Sequence, residues 1–138
     1  MIRLQASFLA LVIAQALHST EEYVGRLWEV FPPATFLTGL ISDNHEVGFL
    51  VANIGFVLFG VWVFIWPVRR GWPSARTFIW VWVAIELVNG IGHPAWTIWQ
   101  GAYMPGVITA PVLFVLALIL LQQLRAQSDA SHQQGTGP

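Results

Sequence analysis

His18-Ser19-Thr20-Glu21-Glu22 sets one imidazole and two carboxylates at the end of the apolar run Phe8 to Leu17. Residues at i, i+3 and i+4 share a helical face, so His18 and these acids can converge on one point beside a helix. Successive helical residues diverge by about 100°, so only one of Glu21 and Glu22 lies squarely beside His18. Two carboxylates ionised side by side repel unless a cation intervenes. That cation is either a metal ion or Arg26, four residues beyond Glu22; the second case is an interfacial helix cap with an ion pair.

A second constellation follows later in the chain: Glu86, Asn89 and His93, at spacings of three and seven. These too fall on one helical stripe. Glu86 is the deepest acid. A charged carboxylate near a bilayer centre costs about 2.5 to 3.5 kcal/mol, so Glu86 needs a partner, a proton or water. A protonated Glu86 bonded to a neighbouring helix is one solution and a ligand or acid/base role is another. His93 precedes Pro94, so its ring can alternatively bond a carbonyl freed at a kink. Asn44, His45 and Glu46 offer a third group, with Asn53 seven residues beyond Glu46, and His45 reads equally as a ligand or as an interfacial side chain.

Such groups need membrane-length elements to hold them. The 138-residue chain is 56% apolar and 9% charged, with mean hydropathy +0.63. A soluble domain has roughly a quarter of its residues charged, so the expected surroundings are a lipid bilayer. Eight Trp, nine Phe and no Lys fit lipid-facing surface with interfacial rings. A net charge of -1 gives nucleic acid no electrostatic footing, and the absence of Cys removes thiolate ligands, cysteine nucleophiles and disulfides.

Spans of about twenty apolar residues are needed to cross the hydrocarbon. Four are expected: about Leu4 to Glu22, Val47 to Trp66, Thr77 to Trp99, and Val107 to Leu124. The fold expected is an all-α, polytopic four-helix transmembrane bundle over residues 1–126, followed by a disordered tail over 127–138 that contains His132. Arg3 followed by apolar residues and Ala14-Gln15-Ala16 also has the outline of a signal peptide, though with one cation and a charged motif directly after it.

Local punctuation refines the picture. Pro32-Pro33 should stop any extension of the first helix. Thr35 to Ser42, too short to span, should lie as an apolar segment in the outer interface. Asp43 and Glu46 read as a capping box opening the second span, Trp66-Pro67 as its end, and Ser74 as a cap for the third. Gly101 to Gly106 reads as an irregular turn. The fourth span brings only Thr109 and Pro111 and should complete the wall of the site. Arg3, Arg69, Arg70, Arg76 and Arg125 fall on one side of this topology, leaving Arg26 on the other. The positive-inside rule then places both termini in the cytoplasm and both polar stripes in the outer half, and the compact chain with short loops makes a bacterial inner membrane the expected location.

His18-Ser19-Thr20-Glu21-Glu22 resembles the H-x-x-E-E signature of the HXXEE domain family of small integral membrane proteins. Asn89 to His93 matches that family's N-x-x-x-H element, and Tyr103-Met104-Pro105-Gly106 its Y-x-P-G element, in family order. The resemblance nominates His18, Glu21, Glu22, Asn89, His93, Tyr103, Pro105 and Gly106, and implies no established activity. Glu86 and His45 stand on the reading of the residues alone. Tyr103, Pro105 and Gly106 read most simply as a turn, with the Tyr103 hydroxyl able to reach the site as a donor.

The function expected is that of a membrane-embedded metal-dependent enzyme. His18, Glu21 or Glu22, and His93, with Glu86 and His45 as further candidates, would hold a divalent ion, zinc or iron before manganese. Asn89 would orient the substrate and the remaining carboxylate would act as base or bridge a second metal. Zinc-assisted hydrolysis of a lipid-like or isoprenoid substrate and di-iron oxidation both suit this set. From other classes come a small transporter or proton relay, which would require a homo-oligomer, and a metal-free isoprenoid isomerase or cyclase.

Overall fold

A computed structural model describes residues 2–135, with side chains through residue 127. No strand occurs among the described residues. The elements are α1 (Ile2–Val24), α2 (Leu27–Val30), α3 (Pro32–Gly39), α4 (His45–Val63) with a π turn (Phe64–Val68), α5 (Ala75–Gln100) and α6 (Ala110–Gly135). Four helices are long and apolar enough to cross a membrane: α1, α4 with its π turn, α5, and α6 as far as Gln127. The tail expected from residue 127, with His132, falls on positions whose side chains lie outside the described residues.

Each long helix buries one stripe. On α1 it is Phe8, Leu11, Val12, Gln15, His18, Ser19 and Glu22; on α5 it is Ile79, Trp82, Val83, Glu86, Gly90 and His93. Both follow the three-and-four spacing of a single helical face. Leu113, Ala117, Leu120 and Leu124 of α6 complete the apolar core with Phe8, Leu11 and Trp82. The opposite faces leave Ile13, Leu17, Ile54, Leu58, Val88 and Ile98 exposed, as a lipid-facing surface requires.

Lipid tails are as apolar as Leu, so association inside a membrane relies on close packing, which small residues permit. At Gly90, which packs α5 onto α6, a Cβ would lie 2.5 Å from Phe114 Cβ. At Gly60, which lets α4 approach Trp82, a Cβ would lie 2.6 Å from the ring.

Several local expectations need correction. Helix α1 ends at Gly25-Arg26, where Arg26 takes φ 55°, well before Pro32-Pro33. Those prolines instead open α3: Phe31 is extended, as a residue before proline prefers, and Pro32 occupies the first turn where no amide donor is needed. The apolar outer segment is thus this short helix and the turn after it, with Phe36, Leu37, Leu40 and Ile41 exposed. Asn44, not Asp43, caps α4, because its extended backbone lets its side-chain oxygen accept from the Glu46 and Val47 amides at 3.1 and 3.3 Å. Pro67 does not end the second span. The π turn absorbs it, and the Trp72 amide reaches back to the Pro67 carbonyl at 2.9 Å. Ser74 precedes α5 as expected but makes no side-chain cap. The fourth span begins at Ala110, later than Val107, because turns occupy the intervening residues.

The C-terminal ends of α1 and α5 lie at one end of the bundle with the start of α6, which places His18 and His93 together. Arg69, Arg70 and Arg76 lie at the other end, where Gln5 bonds the Val68 carbonyl at 3.3 Å and Arg76 the Leu124 carbonyl at 3.1 Å.

Candidate metal centre

His18 and Glu22, one turn apart on α1, meet His93 of α5. Glu22 Oε1 lies 3.3 Å from His18 Nε2 and 3.2 Å from His93 Nε2. The two rings are edge to face with centroids 4.7 Å apart. All three side chains are buried, and one ligand atom from each lies within 4.8 Å of the other two.

The other carboxylate turns away. Glu21 accepts from the Tyr103 hydroxyl at 2.8 Å, the Ile108 amide at 3.1 Å, the Thr109 amide at 2.9 Å and the Thr109 hydroxyl at 2.6 Å. It ties the end of α1 to the loop before α6. Arg26 pairs with Glu29 at 2.6 Å, so the alternative of a Glu22 to Arg26 ion pair does not form.

This arrangement fixes the His18 tautomer. The Thr109 hydroxyl has one proton and directs it to Glu21, so it accepts from His18 Nδ1 at 2.7 Å. His18 Nδ1 therefore carries a hydrogen. His18 Nε2 is buried with no hydrogen-bond partner and faces a carboxylate oxygen. Two lone pairs so placed repel unless a proton or a cation lies between them. His93 Nδ1 is also buried without a partner, so its ring does not bond a carbonyl freed at Pro94, and α5 continues through that proline to Gln100.

The Tyr103 to Gly106 turn closes one side of the centre. Tyr103 holds Glu21, and Pro105 packs where a Cβ on Gly25 would sit, 2.5 Å away. Gly106 has φ 97°, and a Cβ there would come within 2.6 Å of His93 and 2.8 Å of His18. Only glycine suits both the backbone conformation and the space against two imidazoles. Tyr103 is 56% exposed, so it acts on the centre through Glu21 and not by contact. Burial, followed by donation to Glu21 and that carboxylate's charge, pushes the Tyr103 phenol up to about 12.

Glu86 is fully buried but stands outside the triad. It accepts from Asn89 at 3.2 Å and, with the Gln15 amide nitrogen turned toward it, from Gln15 at 3.0 and 3.1 Å. In that orientation the Ser19 hydroxyl lies between two acceptors, the Gln15 oxygen at 3.1 Å and Asn53 Oδ1 at 2.7 Å, and its single proton serves one of them at a time. His45 is remote from the triad, bonded to Thr38 at 3.0 Å. Sequence reasoning missed Gln15 and Ser19 and treated Thr109 only as wall. The available signal was a polar residue on the buried stripe of α1, three positions before His18.

A cavity of about 280 Å³ adjoins the centre. Gln15, Glu22, Asn53, Asn89 and His93 supply its polar side; Leu27, Phe31, Phe49 and Phe56 are among its apolar walls. A larger hollow, about 680 Å³ beside Glu29, Phe36 and His45, touches none of the triad.

The fold and the site together define an all-helical protein with four membrane-length helices, compatible with an integral membrane protein, and a buried His/Glu cluster near one end. The chain belongs to the HXXEE family, described as "Protein of unknown function with HXXEE motif", which it matches over residues 9–121. No curated protein and no solved structure matches it.

Proposed function

We propose that the chain is a membrane-embedded enzyme in which His18, Glu22 and His93 hold one divalent metal ion, zinc or iron, for hydrolytic or acid/base chemistry on a lipid-like substrate. The observation that carries this reading is the convergence of three buried ligand atoms, with His18 Nε2 left without a hydrogen-bond partner opposite Glu22 Oε1. Two imidazoles and one carboxylate suit zinc or non-haem iron, and three protein ligands are the number that catalytic zinc sites use. A bound ion would supply Lewis acidity and lower the pKa of water. Only one carboxylate joins the cluster, which favours a single ion over a di-iron pair.

The chain's own groups divide the remaining work. Thr109 holds His18 in the tautomer that presents Nε2, and Glu21 holds Thr109. Asn89 and Gln15 face the cavity and orient a polar substrate group, while Glu86 fixes both amides from behind. The apolar walls exclude water. We place this end of the bundle at the outer face of a bacterial inner membrane, with the Arg69 to Arg76 loop and both termini in the cytoplasm, on the distribution of arginines.

Metal analysis of protein purified in detergent after zinc or iron loading tests the reading. About one ion per chain is expected in the wild type, with loss in His18→Ala and His93→Ala. A wild type that takes up no stoichiometric metal would overturn it. The metal-free acid/base alternative draws on the 3.2 Å separation of His93 Nε2 and Glu22 Oε1, a hydrogen-bonding distance.

A further inference from the structure

The cavity beside Glu22 and His93 is a wedge between α4 and α5. Further from the site these helices are joined by rings: Phe56 stacks on Trp82 with centroids 4.4 Å apart, and toward the opposite end Phe78 meets Phe59 and Trp62 edge-on at 6.0 and 5.6 Å. Among the described residues no ring pair joins α4 to α5 nearer the site. The cavity fills that interval, with Ala52 and Phe56 on one wall and Asn89 and His93 on the other. Helix α1 supplies the back, and Leu27, Phe31 and Leu37 form a roof. Ala52 and Leu37 are exposed at the rim, and Asn89 is half-buried. Both walls belong to membrane-length helices, whose outward faces carry exposed Val51, Ile54, Val88 and Ile91, so an opening between them faces hydrocarbon when the helices span.

The charges around the cavity narrow its ligand. Its polar lining is one carboxylate, one imidazole, three amides and the Thr38 hydroxyl, and no arginine lines it. Arg26, at the same end of the bundle, pairs with Glu29 outside it. With no metal ion bound, a phosphate or carboxylate head would meet the Glu22 carboxylate and find no guanidinium to balance it. A hydroxyl, ester or amide head would find donors and acceptors in Gln15, Asn53 and Asn89. At about 280 Å³ the space is near the lower limit of about 300 to 1,000 Å³ for ligand pockets, enough for a small head and the first part of one chain.

We infer that the cavity takes a neutral-headed, single-chain lipid directly from the bilayer between α4 and α5, setting the head's oxygen beside Glu22 and His93 and letting the chain leave past Ala52. The inference rests on the proposed enzymatic reading for the fate of that lipid, but occupancy of the cavity does not depend on a metal.

Photolabelling of the full chain in lipid nanodiscs, freed of metal by a chelator, tests it, using hexadecanol with a diazirine in its chain against hexadecyl phosphate carrying the same group. The alcohol should label cavity-lining positions of α3 and α4 about tenfold more than the phosphate, equivalent to about 1.4 kcal/mol of discrimination. Unlabelled hexadecanol should compete. Ala52→Trp and, on the opposite rim, Leu37→Trp should each remove most of that labelling, whereas lipid-facing Val51→Trp should leave it intact. Equal labelling by the phosphate, or labelling indifferent to both rim variants, overturns the inference. Metal uptake by a zinc- or iron-loaded sample of the same preparation separates the two readings: selective labelling with no uptake sinks the metal centre alone, and uptake with no selective labelling sinks the lipid cavity alone.

Discussion

Glu21 and Glu22 are adjacent in the chain and point into different surroundings. Glu22 Oε1 lies within 3.3 Å of an Nε2 atom of both His18 and His93, whereas Glu21 accepts four hydrogen bonds from Tyr103, Ile108 and Thr109. One carboxylate belongs to the centre and the other holds the loop that closes it. The repulsion expected between two neighbouring acids is eased because the two carboxylates diverge, Glu21 toward the loop and Glu22 toward the imidazoles.

This division predicts opposite phenotypes for two similar substitutions. Glu22→Gln should abolish stoichiometric metal binding while leaving the fold intact by circular dichroism. Glu21→Gln should keep the metal but lower stability by about 2 kcal/mol, the range for hydrogen bonds to a charged group. Equal metal loss in both variants would contradict the division.

Thr109 offers a finer test. Thr109→Val removes the hydroxyl that accepts from His18 and donates to Glu21, and should weaken metal affinity by about 10- to 100-fold. Thr109→Ser should restore most of it. Competition with a chromophoric chelator gives the affinities, and a Val variant that binds as tightly as wild type would remove Thr109 from the role.

Two glycines in the loop after α5 should respond differently to alanine. Gly106→Ala places a Cβ against both imidazoles at positive φ, so metal binding should be lost. Gly101→Ala meets open space at φ 63° and should cost about 1 kcal/mol in stability with the metal retained. Metal stoichiometry and thermal unfolding of the two variants decide the matter.

Tyr103 carries the pH dependence. Its phenol is pushed up to about 12 in the fold by burial and by Glu21, against about 10 in an unfolded chain. The folded state therefore holds this proton more tightly. Its contribution to stability is complete below about pH 10 and is lost as pH rises toward about 12. The difference in phenolate absorbance between wild type and Tyr103→Phe should isolate a high-titrating Tyr103, and Glu21→Gln should return that component toward its ordinary value. Ionisation of Tyr103 near 10 in the wild type would refute the assignment.

The sequence alone determined the four spans, because apolar length and scarce charge leave a chain few alternatives to a bilayer. It also determined that His18 shares a stripe with a following carboxylate and that Glu86, Asn89 and His93 share another, since helical periodicity is a local property. It could not assign Glu21 and Glu22 to different partners: the donors to Glu21 lie 82 to 88 positions away, in a loop whose path no local rule fixes, and Glu22 meets His93 of another helix. For the same reason Thr109 reads as mere wall, and the sequence leaves Glu86 open between a ligand or acid/base role and an acid bonded to a neighbouring helix. Pro32 and Pro67 were misplaced because proline marks a boundary locally, while packing decides whether a helix begins there or bends past it. Tertiary structure alone brought His93 to His18, by packing α1 and α5 around α6 with small residues at the closest approaches, and so turned two stripes into one centre.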